Sequence, residues 1–201
     1  MNNKITYGII FILLAGILFS CSPAKITGKY YYQHEVQLNK IYQTYQELYK
    51  KHPFTIAFTD KGFNILSLEI ITDTLTYIYE FGVNESRLSD TLTKYHLNTG
   101  NITTLVNQMR SIKCIWVNNF DYYVDNIKNS LIFMSVRAVA LSNPFSYKKY
   151  YILTYFNQPQ HFDSQGRLLD KRRLRRLRKI NGEVFHRIND KVCYAISERF
   201  R

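Results

Sequence analysis

Phe54-Thr-Ile-Ala-Phe-Thr59, then Asp60-Lys61-Gly62, then Phe63-Asn-Ile-Leu-Ser-Leu-Glu-Ile-Ile-Thr72, is the stretch on which the fold turns. Its arms are rich in β-branched and aromatic residues and alternate between apolar and polar, the repeat of a half-buried strand. Asp-Lys-Gly between them is turn chemistry, because glycine supplies the backbone freedom and aspartate bonds the chain ahead of it. A third run of the same character covers residues 75–81, with Asp73 as the turn before it. These three runs predict an antiparallel meander.

Upstream the period changes from two to between three and four. Leu38, Ile41, Tyr42, Tyr45, Leu48 and Tyr49 fall on one face of a helix over residues 32–51, and His52-Pro53 ends it. The tyrosines in that stripe are read as a packing face. Downstream, Asn84-Glu-Ser-Arg-Leu88 opens a helix with Leu88, Leu92 and Tyr95 on one side, closed near Gly100. Asn101 caps a second, whose buried face is Ile102, Leu105, Val106, Met109 and Ile112. Strands follow at residues 113–117, 120–124, 131–141 and 147–156, and residues 183–188 and 192–196 form a closing hairpin that turns at Asn189-Asp190. Helices and antiparallel strands in separate runs predict an α+β domain. Its parts are an N-terminal amphipathic helix, an antiparallel sheet, two central helices, a short basic helix and a C-terminal hairpin.

The amino terminus is of a different kind. Lys4 precedes Gly8-Ile-Ile-Phe-Ile-Leu-Leu-Ala-Gly-Ile-Leu-Phe19, and one positive charge before about a dozen apolar residues is the layout of a secretory signal. The run stops short of the roughly 20 apolar residues that a membrane-crossing helix needs. Leu18-Phe19-Ser20-Cys21 resembles the lipobox of bacterial lipoproteins. That resemblance implies lipid on the Cys21 thiol, cleavage just before it, and a membrane anchor at the new amino terminus. Residues 1–20 are then a signal peptide, 21–29 the lipidated cysteine and tether, and 30–201 a single domain. Ser22 and Pro23 follow with no acidic run. In such lipoproteins an acidic run there can direct display on the cell exterior, so its absence points to a periplasm-facing place in the cell envelope.

The chain of 201 residues carries a formal net charge of +12. Few glycines and prolines and no low-complexity tract argue against extended disorder. Cys114 and Cys193 are the other cysteines. An exported protein meets an oxidising compartment, so the two can pair in a disulfide; the alternative is two buried thiols that pack as small hydrophobes.

The sharpest chemical feature is Arg167-Leu-Leu-Asp-Lys-Arg-Arg-Leu-Arg-Arg-Leu-Arg-Lys179, eight basic residues against one acid in thirteen positions. Asp170 can cap a helix in which Leu174, Leu177 and Ile180 form a narrow apolar stripe, ended by Asn181-Gly182. Such a helix spreads Arg172, Arg173, Arg175, Arg176, Arg178 and Lys179 as an anion-binding face. Three readings of it stand. One is a solvated surface; one is a contact with anionic lipid, lipopolysaccharide or an acidic protein; the third is nucleic acid, against which the export signal argues.

Signs of catalysis are thin. His34-Glu35 begins like a zinc-protease motif, but Leu38 stands where the second histidine belongs. His52, His96, His161 and His186 have no metal-ligand spacing, and no metal or cofactor is expected. Asp121 and Asp125 flank Tyr122-Tyr123 and share one face of a strand, and Asp163-Ser-Gln-Gly166 reads as a turn. The expectation is a binding or interaction module rather than an enzyme. The alternative is an envelope enzyme or small-ligand carrier whose site is assembled from distant residues.

Overall fold

Pro53 divides a helix from a strand because it has no amide hydrogen to give and the residue before it avoids helical angles. Helix α1, Pro23–Lys51, lies on one side of it and strand β1, Phe54–Phe58, on the other. The structure is a computed structural model that describes residues 23–124, 126–137 and 150–197. Residues 1–20, Cys21 and Asp125 therefore lie outside the described residues, as does the stretch between the strands expected at 131–141 and 147–156.

Helix α1 has non-helical backbone at His34 (φ −120°, ψ 16°), so it consists of two helical segments. The described residues also fall into two units, dividing between Gln33 and His34. The first, residues 23–33, is helical throughout. The remainder of the structure is the second unit, from His34 onward.

In that unit β1 is followed by β2 (Ile65–Ile71), β3 (Thr76–Gly82), α2 (Ser86–Lys94), α3 (Thr99–Ser111), β4 (Cys114–Val124), β5 (Ile127–Arg137) and β6 (Tyr150–Phe156). Four very short strands and two longer ones complete it: β7 (Leu169–Asp170), β8 (Arg173–Leu177), β9 (Lys179–Ile180), β10 (Glu183–Val184), β11 (His186–Arg187) and β12 (Val192–Ser197). Eight strands make one sheet in the order β11-β12-β6-β5-β4-β1-β2-β3, and every neighbouring pair is antiparallel. The β1–β2 turn is tied by Asp60, whose carboxylate accepts from the amides of Gly62, Asn64 and Ile65 at 2.8–2.9 Å.

Register assigns the two faces, since residues directly opposite each other point the same way. Phe54, Ile56 and Phe58 share a face with Leu66, Leu68 and Ile70, and across β4 and β5 with Val117 and Met134. Helices cover this face. Tyr45 of α1 meets Phe54 edge-on at 5.0 Å, Tyr42 stacks on Tyr155 at 5.2 Å, and the hydroxyls of Tyr95 and Tyr79 meet at 2.7 Å. On the opposite face Trp116 stacks on Phe133 at 6.2 Å, and Phe185, between β10 and β11, closes over Phe133.

The expected α+β class is corrected here: the unit is dominated by one eight-stranded antiparallel sheet, with the helices subordinate to it. The basic helix does not form, and residues 167–180 run through β7, β8 and β9 instead. The C-terminal hairpin is not a separate feature either. β12 pairs with β6 over six residues and so belongs to the main sheet, while β11 adds two pairs at its edge.

Candidate functional site

Asp170 does cap something, but it is a turn: its carboxylate accepts from the amide of Arg172 at 3.0 Å, and Asp170 pairs with Arg173 across it. Residues 171–176 are all exposed, including Leu174 at 53 %. A strand points successive side chains to opposite sides. Arg173 and Arg175 therefore project one way and Leu174 and Arg176 the other, and both sides of the ribbon face solvent. Among the described residues no ion pair engages Arg173, Arg175 or Arg176.

Arg178 differs from the rest of the set. It is half-buried, with its guanidinium 4.9 Å from the Tyr122 ring centre and 5.7 Å from that of Phe156, and it donates to Gln160 Oε1 at 3.2 Å. A cation over a ring face is held by the ring's quadrupole, so Arg178 ties the basic ribbon to the sheet while Lys179 stays exposed. Arg167 is also occupied, forming an ion pair with Asp163 at 2.7 Å. The other cations of the segment, Lys171, Arg172, Arg173, Arg175, Arg176 and Lys179, are exposed.

Of the two readings of Cys114 and Cys193, the disulfide is not made and the buried thiols are found: both are free and buried. β5 and β6 stand between their strands, and three interstrand steps of ~4.8 Å separate them by about 14 Å. A disulfide needs Cα atoms within roughly 7 Å. Burial pushes both thiols up to about 12, so neither is a nucleophile at neutral pH.

The second feature is a cleft of about 450 Å³ walled by the last turns of α1 and the hairpin of β4 and β5. Residues that share the helix-covered face of β4, β5 and β6 are apolar up to Val117, Ile132 and Tyr155. Beyond that level they become Asn119, Asp121, Ser130, Lys128 and Asn157, a polar row across three strands. The side chains hold one another. Asn119 donates to Asp121 at 2.7 Å, and the Lys128 ammonium meets the other carboxylate oxygen at 2.8 Å, which holds the Lys128 charge above its ordinary range. Asn157 donates to Ser130 at 3.1 Å and accepts from Tyr42 at 3.0 Å and from Gln46 at 3.3 Å. Tyr49 is half-buried and lines the cleft with Asn119; burial raises its hydroxyl, which stays neutral.

Alternation that turns polar at one level in neighbouring strands was the available signal, but it needs the register, which the sequence did not supply. Asp121 lines this cleft as half of an ion pair, and Asp125, its suggested partner, lies outside the described residues. Among the described residues no three His, Cys, Asp or Glu side chains gather to hold a metal. Comparison with known proteins adds no kin: no family model matches the chain, nor does any curated protein or solved structure.

Proposed function

We propose that the protein is a lipid-anchored component of the bacterial envelope that faces the periplasm and uses its basic ribbon to grip an anionic surface. The phosphates of anionic phospholipid or lipopolysaccharide are the partner that suits this chemistry, because guanidinium donates in a fork that matches phosphate oxygens. The observation that carries the proposal is the run of exposed cations on β8 and its turn, with Arg173, Arg175 and Arg176 unpaired among the described residues. A second feature favours a lipid surface over an acidic protein. The β4–β5 hairpin runs past its neighbours, which pair with it only as far as Val117 and Leu131, and Tyr123 and Ile127 near its end are 69 % and 66 % exposed. Arg178 stacks on Tyr122 near that end, so a cation lies close to the stretch that carries the exposed Tyr123 and Ile127. Aromatic and aliphatic tips flanked by arginine suit a headgroup layer, where the ring is buried and the charge stays hydrated.

Anchor and ribbon are tested separately. Mass spectrometry of the native protein is expected to find acylated Cys21 as the first residue; an intact Met1 with an unmodified thiol would end the anchor half. The ribbon is tested on protein that starts at Ser22 and so has no lipid, by co-sedimentation with vesicles rich in phosphatidylglycerol. Each cation near an anionic membrane contributes ~1 kcal/mol. Losing four such charges alone corresponds to about a thousandfold, and glutamate adds repulsion, so converting Arg172, Arg173, Arg175 and Arg176 to glutamate is expected to weaken binding by at least that much. Retained binding by the folded variant, or equal binding to neutral vesicles, removes the proposal.

A further inference from the structure

We propose that the polar cleft between α1 and the β4–β5 hairpin binds a pyranose sugar, taking one or two rings of a glycan. This does not depend on the basic ribbon. Its volume, about 450 Å³, lies within the roughly 300–1,000 Å³ typical of small-molecule sites. The lining decides the ligand class. Seven of its eleven residues carry an amide or hydroxyl, Gln46, Tyr49, Asn119, Asn129, Ser130, Asn157 and Gln158. Amides offer a donor and an acceptor side by side, the arrangement that adjacent sugar hydroxyls require because each both gives and takes a proton.

Three charged residues line the cleft: Asp121 and Lys128 are paired to each other, and Lys50 is exposed. Sugar hydroxyls can donate to spare carboxylate lone pairs and accept from spare ammonium hydrogens of either lysine. An apolar ligand would strand the amides without partners. Tyr49 brings the one ring in the lining, against which the C–H face of a pyranose can lie.

Preorganisation separates this cleft from an ordinary wet edge of a sheet. Asn157 is fixed from three sides by Tyr42, Gln46 and Ser130, which sets the orientation of its amide. Asn119 is held by its bond to Asp121. Groups already locked lose little entropy when a ligand arrives.

The test is ligand-observed saturation-transfer NMR on the full chain with three probes: cellobiose, maltose and N,N′-diacetylchitobiose, which differ in linkage and ring substituent. At least one is expected to bind at millimolar concentration or below, and Asp121→Asn and Gln46→Ala are each expected to weaken it tenfold or more. Both changes sit at the cleft rim, and thermal melting establishes that the variants fold. Asn157→Ala, at an exposed position, supplies a third variant should either of the others unfold. The glutamate variant of the ribbon should bind sugar as the parent does, so loss of vesicle binding and loss of sugar binding are read independently. Silence from all three probes, or binding indifferent to the folded cleft variants, overturns the proposal.

Discussion

Tyr45 shows what one side chain decides. It is fully buried, and its hydroxyl donates to the Phe54 carbonyl at 2.5 Å. Burial raises that hydroxyl well above its ordinary value, so it stays a donor at neutral pH. Tyr45→Phe keeps the ring and deletes the donor, and is expected to cost about 1–3 kcal/mol in urea unfolding, the penalty for a buried acceptor left unpaired. A change under about 0.3 kcal/mol would mean the carbonyl is satisfied elsewhere. The helical period in the sequence located Leu38, Ile41, Tyr45 and Leu48, all of which are buried. It could not separate Tyr45 from Tyr42, which is half-buried and whose hydroxyl serves the cleft. Spacing gives a face, whereas the partner of a phenol depends on the element across from it. Cys114 and Cys193 make a matching residue-level prediction. Each thiol ordinarily ionises at 9.0 but holds its proton to about 12 in the fold, so the unfolded chain releases protons first. Stability is therefore expected to fall as pH rises above 9, and Cys114→Ala with Cys193→Ala should flatten that decline. In native protein at pH 8 both thiols should resist iodoacetamide, and after denaturation without reductant both should react.

Among the elements, the basic segment is the one whose local signals pointed two ways. Arginine and leucine favour a helix, and Leu174, Leu177 and Ile180 have helical spacing. A helix there, however, would set Arg172 against both Arg175 and Arg176, and Lys171 against Arg175, at three- and four-residue steps where like charges repel. It would also be too short to form without a docked face. The residues that do bury are Leu168, Leu169, Ile180 and Phe185, whose spacing fits short strands broken by tight turns. Asn181-Gly182 illustrates the ambiguity. Both have positive φ, 52° and 81°, as a helix C-cap would ask of one of them and as a two-residue hairpin asks of both; Ile180 pairs with Glu183 across them. The two alternatives differ in what Leu174 does. In a helix it docks; in the ribbon it is 53 % exposed. Leu174→Thr is therefore expected to change stability by less than about 0.5 kcal/mol, as exposed substitutions do. Leu168→Ala, at a fully buried position, should cost about 2–5 kcal/mol. A large loss from Leu174→Thr in chemical denaturation would restore the helix.

For the whole molecule, the sheet was legible in its runs and hidden in its order. β1 to β3 follow one another as a meander, but β4 returns through α2 and α3 to pair with β1, and only long-range packing sets that choice. The same return brings Asn119 and Asp121 within reach of α1, which is why no local pattern announced the cleft. Charge, by contrast, is additive and could be read at once, and it makes a prediction that the fold sharpens. At neutral pH the chain already stands at +12 with fifteen acidic residues ionised, so each acid protonated adds to its self-repulsion. Three of those acids have values below normal in the fold. For Asp60, burial alone would raise the carboxyl, but amides of Ile65, Asn64 and Gly62 outweigh it; Arg87 holds Glu85 down; and backbone and side-chain bonds from Arg167 hold Asp163 down. A depressed folded-state value means the stabilisation is complete above the ordinary value, 3.8 for Asp and 4.5 for Glu, and disappears as pH falls through the folded one. Both effects push the same way, so the melting temperature should hold nearly level from pH 8 to pH 5 and drop steeply below pH 4. Added salt separates them: it screens the net-charge repulsion but leaves the proton linkage of the Asp60 and Asp163 turns in place. Asp60→Asn and Asp163→Asn should therefore lower the melting temperature at pH 7, and in high salt should flatten its fall with acid. A parent melting temperature unchanged between pH 7 and pH 3 would mean that neither the turns nor the net charge governs stability.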